Sequence, residues 1–182
     1  MSELEKIVQE ISDVVRPIDD ARVDAFAKGL SSTPRVFVTG EGRSGLMAKA
    51  FAMRLMHLGL TVYVIGETIT PSVTAGDALV AVSGSGTTPG TLRVAEGAAE
   101  AGATIFAVTT EPSSPLASLA SRALIVQAAT KWRREDGAKS EQPLGSLFDQ
   151  CAHVVLDAVC LRLATRGGIS NEAARGQHAN VE

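Results

Sequence analysis

Hydroxyls and glycines alternate over Ser83 to Gly90, SGSGTTPG, directly after the apolar run Ala78 to Val82. Glycines let backbone N–H groups converge on one point. Ser83, Ser85, Thr87 and Thr88 add hydroxyl donors, and Pro89 suits the first position of a helix whose N-terminus carries partial positive charge. The chemistry is that of an anion cradle for a phosphate monoester, with Ser83, Gly84, Ser85, Gly86, Thr87 and Thr88 as candidate binding residues. The competing reading is an ordinary strand-to-helix turn with Thr88 as N-cap. No Lys follows the glycines where a Walker loop requires it, which argues against a nucleoside triphosphatase.

A second glycine loop, TGEGRSG from Thr39 to Gly45, also follows an apolar run and opens a helical pattern. Gly40, Gly42 and Gly45 satisfy a dinucleotide fingerprint, and Glu67 stands after the next run where a ribose-binding carboxylate would lie. Against a nicotinamide enzyme, 182 residues leave little room for a substrate domain beyond one sheet. Gly42, Arg43 and Ser44 therefore join the candidate binding residues, facing the phosphate loop across the carboxyl edge of a parallel sheet. Glu67 reads equally as a sugar-hydroxyl ligand and as a surface acid at a strand end.

Acid–base candidates are fewer. Asp149 falls near the start of a long helical pattern, where the helix dipole alone would explain an acid. His153 and Asp157 continue at four-residue spacing and read as a surface stripe or satisfied interior groups. His57 sits at a helix C-terminus, which the dipole explains equally well. Cys151 and Cys160 lie nine residues apart within one helix, on opposite faces, and are read as buried packing residues. No His, Cys, Asp and Glu cluster has metal-ligand spacing, so neither a metal nor another cofactor is expected.

These residues need a scaffold. Short β-branched or apolar runs near Arg35–Thr39, Thr61–Ile65, Ala78–Val82, Thr104–Val108 and Ala123–Val126 alternate with helical patterns over Ser44–Leu58 and Pro89–Ala101. Shorter helical pieces are expected around Pro71–Ala75 and Pro115–Ala120, and a long helix over Gly145–Thr165. The rhythm is that of βαβ units. It predicts a three-layer α/β/α sandwich on a five-stranded parallel sheet, doubly wound and flavodoxin-like. Residues 1–30 form an amphipathic helical arm, bent near Pro17, and residues 167–182 a tail with a helical pattern at Asn171–Arg175. Thr130 to Pro143 is polar and reads as an exposed loop.

Bulk properties agree with one soluble domain. Charged residues are 20% of the chain, the net charge is -3, and the basic residues are dispersed, which makes nucleic acid a poor partner. No apolar run suggests a membrane span or a signal peptide, so a cytoplasmic protein is expected. The apolar stripes of the arm and of the terminal helix point to an oligomer, at least a dimer.

The chain resembles the SIS (sugar isomerase) family, whose Ser-x-Ser-Gly-x-Thr loop is matched by Ser83, Ser85, Gly86 and Thr88. Within that family it is most similar to the 6-phospho-3-hexuloisomerases. The similarity runs through GEGRSG ending at Gly45, AKAFAMRLMHLG at Ala48–Gly59, GET at Gly66–Thr68, QPLGSLFDQ at Gln142–Gln150 and the terminal HANVE. The resemblance implies a homotetramer that interconverts D-arabino-3-hexulose 6-phosphate and D-fructose 6-phosphate in formaldehyde fixation by the ribulose monophosphate pathway. It also implies that Asp149 is the proton acceptor, standing where the family usually has Glu, as Thr87 does in the phosphate loop. His178 would assist proton transfer or ring opening, reaching a neighbouring subunit's site. The alternatives are a non-catalytic sugar-phosphate regulator, an isomerase of another phosphosugar, and a nicotinamide-binding protein.

Overall fold

The computed structural model describes residues 1–131 and 138–181. Trp132, Arg133 and Arg134, in the middle of the stretch expected to be an exposed loop, fall outside the described residues.

Five short strands form one parallel sheet in the order β2-β1-β3-β4-β5: β1 Val36–Gly40, β2 Val62–Val64, β3 Ala78–Val82, β4 Thr104–Thr109 and β5 Arg122–Ile125. The three central strands are apolar and almost wholly buried, as strands covered on both faces must be. Side chains alternate between the faces. Val36, Val38, Val80, Phe106 and Val108 enter one core with α2 (Asp20–Ser31), α3 (Gly42–His57) and α6 (Ser146–Gly167). Phe37, Leu79, Ala81, Ile105 and Ala107 enter the other with α4 (Pro89–Glu100) and α5 (Pro115–Leu119). Two helical layers on one sheet make the expected three-layer sandwich.

The arm is two helices rather than one bent helix. α1 (Glu3–Val15) opens with a complete capping box between Ser2 and Glu5 and packs on α6. It ends before Pro17, and the Asp19 carboxylate caps α2 by accepting from Ala21 N. The short helix expected around Pro71–Ala75 does not form. Asp77, 1% exposed, accepts from Thr74 N (2.7 Å) and pairs with Arg35 (2.6 Å), and this turn replaces it. The end of the expected exposed loop is pinned as well. Ser140 Oγ, Glu141 N and Gln142 Nε2 all donate to the Glu10 carboxylate of α1, at 2.7, 2.8 and 2.9 Å. The tail helix α7 spans Asn171–Gly176 with Ser170 as its cap. Among the described residues no helix is long and apolar enough to cross a membrane.

Candidate active site

All strands point the same way, so the loops after β1, β3 and β4 gather at one edge of the sheet. The first two cross closely. A Cβ on Gly45 would lie 2.6 Å from the Gly40 carbonyl oxygen, and one on Gly40 would lie 3.0 Å from Val82 O at the end of β3. Glycine at these two positions lets α3 start directly above the β1 end, beside the loop that leaves β3.

That loop is held from below. Gly84 O accepts from Thr110 N (3.0 Å), Thr110 Oγ1 (2.8 Å) and Thr109 Oγ1 (3.2 Å), which ties the loop to the end of β4. Ser83 Oγ accepts from Gly86 N (3.1 Å) and shares a 2.7 Å hydrogen bond with Thr88 Oγ1. Thr88 is the N-cap residue of α4, yet its hydroxyl makes no capping bond. The helix therefore keeps its first-turn N–H groups and the partial positive charge they carry. Gly86 turns the chain with φ 64°, packed so tightly against Ser114 and Thr109 that no side chain fits there. Ser85 and Thr87 form a more exposed pair, Thr87 Oγ1 to Ser85 Oγ at 3.0 Å.

The acid comes from far along the chain. Phe148, in the first turn of α6, lies on the phosphate-type loop: a Cβ at Gly84 would be 3.2 Å from its ring. Its neighbour Asp149 thereby reaches the α3 N-terminus. Arg43 Nε donates to Asp149 Oδ2 (3.0 Å) and Ser44 Oγ to Oδ1 (3.1 Å). The Asp149 side chain is only 7% exposed, against 59% for Arg43. Burial raises its pKa above the ordinary carboxylate value, and Ser44 and Arg43 pull it back down. A carboxylate with raised proton affinity, held by two donors at the edge of an anion cradle, has the properties of a general base.

The match to the family model settles the class: the SIS domain covers residues 29–139. The chain belongs to the SIS domain family. A 3-hexulose-6-phosphate isomerase from Mycobacterium gastri is 45% identical over 98% of this chain and 89% of its own length. One from Bacillus subtilis is 35% identical over 97% and 96%. A Methanococcus jannaschii protein, whose crystal structure was taken to infer the molecular function of 3-hexulose-6-phosphate isomerase, superimposes with TM-score 0.85. It is 29% identical, with all of both chains covered.

Not every expected SIS site residue joins the cluster. Gly42 provides the positive-φ turn (57°) that starts α3, and Arg43 and Ser44 follow it onto Asp149. Glu67 pairs with Lys49 of α3 at 3.4 Å, both side chains about half exposed, and makes no hydrogen bond to Asp149. His153 pairs with Asp157 (3.5 Å) on the exposed face of α6. His178 is elsewhere: its ring stacks on His57, centroids 5.1 Å apart, at the C-terminal end of α3. At 1.5 Å per residue that is about 21 Å along the helix from Arg43. Both cysteines are buried, with thiol pKa values pushed up by burial to about 11 and about 12, which makes them packing groups. Thr109, Thr110, Ser114 and Phe148 escaped the sequence reading, although two threonines at the carboxyl end of a parallel strand were a usable signal.

Proposed function

We propose that this chain interconverts D-arabino-3-hexulose 6-phosphate and D-fructose 6-phosphate, a reading supported by relatives named 3-hexulose-6-phosphate isomerase. The Ser83–Thr88 loop and the α4 N-terminus hold the phosphate. Asp149 removes the proton from C2 to give a 2,3-enediolate, and a proton returned to C3 completes the shift of the carbonyl from C3 to C2. Ser44 keeps the carboxylate aimed. Arg43 supplies the positive charge that an enediolate or a phosphate needs beside it. The observation that carries this reading is that buried Asp149 accepts from Arg43 and Ser44 at the α3 N-terminus while its neighbour Phe148 lies against Gly84 of the Ser83–Thr88 loop.

In this reading the whole chain is one SIS unit, with residues 1–30 as arm and 167–182 as tail, working in the cytoplasm as a homotetramer or at least a dimer. Exposed apolar side chains on α1 (Leu4, Val8), α3 (Leu46, Met53) and α6 (Val154, Leu161) support association. His178, remote from its own Asp149, serves the site of a second copy. Glu67 contributes to binding the sugar once Lys49 releases it.

The test is a coupled assay of 3-hexulose 6-phosphate conversion to fructose 6-phosphate. The wild type turns over, and Asp149→Asn loses about 10²–10⁴-fold in kcat. A variant as active as the wild type would remove Asp149 from the mechanism.

A further inference from the structure

We propose that Arg43 is shared between Asp149 and the substrate phosphate, so that phosphate binding withdraws the guanidinium from the carboxylate and switches the base on. The inference rests on the reading of Asp149 as base and Ser83–Thr88 as phosphate loop. It adds a coupling between them.

The pair is asymmetric. Asp149 is fixed by burial and by Ser44, which bonds the opposite carboxylate oxygen to the one Arg43 takes. Arg43 is mostly exposed and engages the carboxylate through Nε alone, so its terminal nitrogens make no further hydrogen bond among the described residues. Those nitrogens form the fork that fits a phosphate. The loop that would hold the phosphate starts where β3 ends, next to the β1 end from which α3 rises. A swing of the exposed guanidinium toward that loop separates the two partners.

Withdrawal removes one influence on Asp149 and leaves the others. Ser44 stays in place, and burial continues to oppose ionisation. Among the described residues Arg43 is the charged group acting on this carboxylate. Glu10 of α1 acts on Cys151 and is committed to Ser140, Glu141 and Gln142. His153, one turn on, is paired with Asp157 on the exposed side of α6. Losing one adjacent opposite charge raises a carboxyl pKa by about one unit or more. The same carboxylate is thus less basic beside Arg43 and more basic once a phosphate has claimed it.

The experiment is a carbon-13 NMR titration of the Asp149 carboxyl, assigned through Asp149→Asn, with and without saturating sulfate, a phosphate mimic of constant charge. In the wild type sulfate raises the pKa by about one unit or more. In Arg43→Gln the pKa is high from the start and sulfate adds less than half as much. Arg43→Lys, which keeps the charge, restores the wild-type starting value and guards against a folding artefact in the Gln variant. An equal sulfate-induced rise in wild type and Arg43→Gln overturns the coupling, because the anion would then act on Asp149 directly. Absence of saturable sulfate binding at the Ser85 amide overturns it together with the phosphate-loop reading. Full turnover in Asp149→Asn instead sinks the base assignment, whatever the titration reads.

Discussion

The imidazole of His178 stacks on that of His57 at an interplanar angle of 14°, so the tail is attached at the end of α3 opposite to the one that carries Arg43 and Ser44. A tail residue that acts in catalysis from this position must act on another subunit. Mixing Asp149→Asn and His178→Ala proteins checks this. Hybrid assemblies that bring an intact Asp149 and an intact His178 to one site regain roughly a quarter of the wild-type activity for random pairing in a two-fold assembly. If mixing restores nothing while each single variant is inactive, His178 does not serve across subunits.

The same contact makes the tail pH-sensitive. His57 is 5% exposed, and burial first, then the neighbouring His178 and Arg54, lower its pKa below the ordinary 6.5. The unfolded chain then binds more protons than the folded one as pH falls past 6.5. The stability is complete above that value and is lost as pH drops through the lowered one. Melting temperature should fall between about pH 7 and pH 5, and His57→Phe, which keeps a ring on His178, should flatten that fall.

Gly86 is the tightest point of the Ser83–Thr88 loop. Its φ of 64° and the Ser114 side chain facing its Cα exclude any Cβ. Gly86→Ala should cost about 1–3 kcal/mol of stability from the backbone conformation alone. It should also weaken sugar-phosphate binding, because Gly86 N anchors Ser83 Oγ. Urea denaturation and a fructose 6-phosphate titration read the two effects separately.

Arg35 and Asp77 hold the opposite edge of the sheet. Asp77 is almost fully buried and accepts from both Arg35 and Thr74. The Arg35 hydrogen bond, followed by those from Thr74, lowers its pKa below 3.8. Its contribution is present above that value and is lost as pH falls through the lowered one. Arg35→Ala leaves a buried carboxylate without its cation and should cost about 3 kcal/mol, with kcat unchanged because the pair lies far from Asp149. Asp77→Asn should show a shallower loss of urea midpoint below about pH 4 than the wild type.

Local signals in the chain wrote most of the scaffold. The apolar runs of β1, β3 and β4 read as strands because they are too short for a buried helix, carry β-branched residues and are bounded by turn residues. The glycines and Pro89 of SGSGTTPG announced the tight turn from β3 into α4. The short helix expected at Pro71–Ala75 failed for a reason no local pattern carries. Its fate was set by Arg35, some forty positions earlier, reaching Asp77 across the sheet edge.

What the sequence alone determined is therefore the sheet, its two loops and the class of ligand, since each depends on residues within a few positions of one another. The tertiary structure decided which acid lies beside the start of α3. Asp149 stands 106 positions from Arg43, and it becomes a buried, doubly bonded carboxylate only because Phe148 settles on Gly84 and carries the first turn of α6 to the start of α3. It likewise placed His178 away from its own site. Contacts of that range depend on how whole layers pack, and packing is a property of all the side chains at once rather than of any motif.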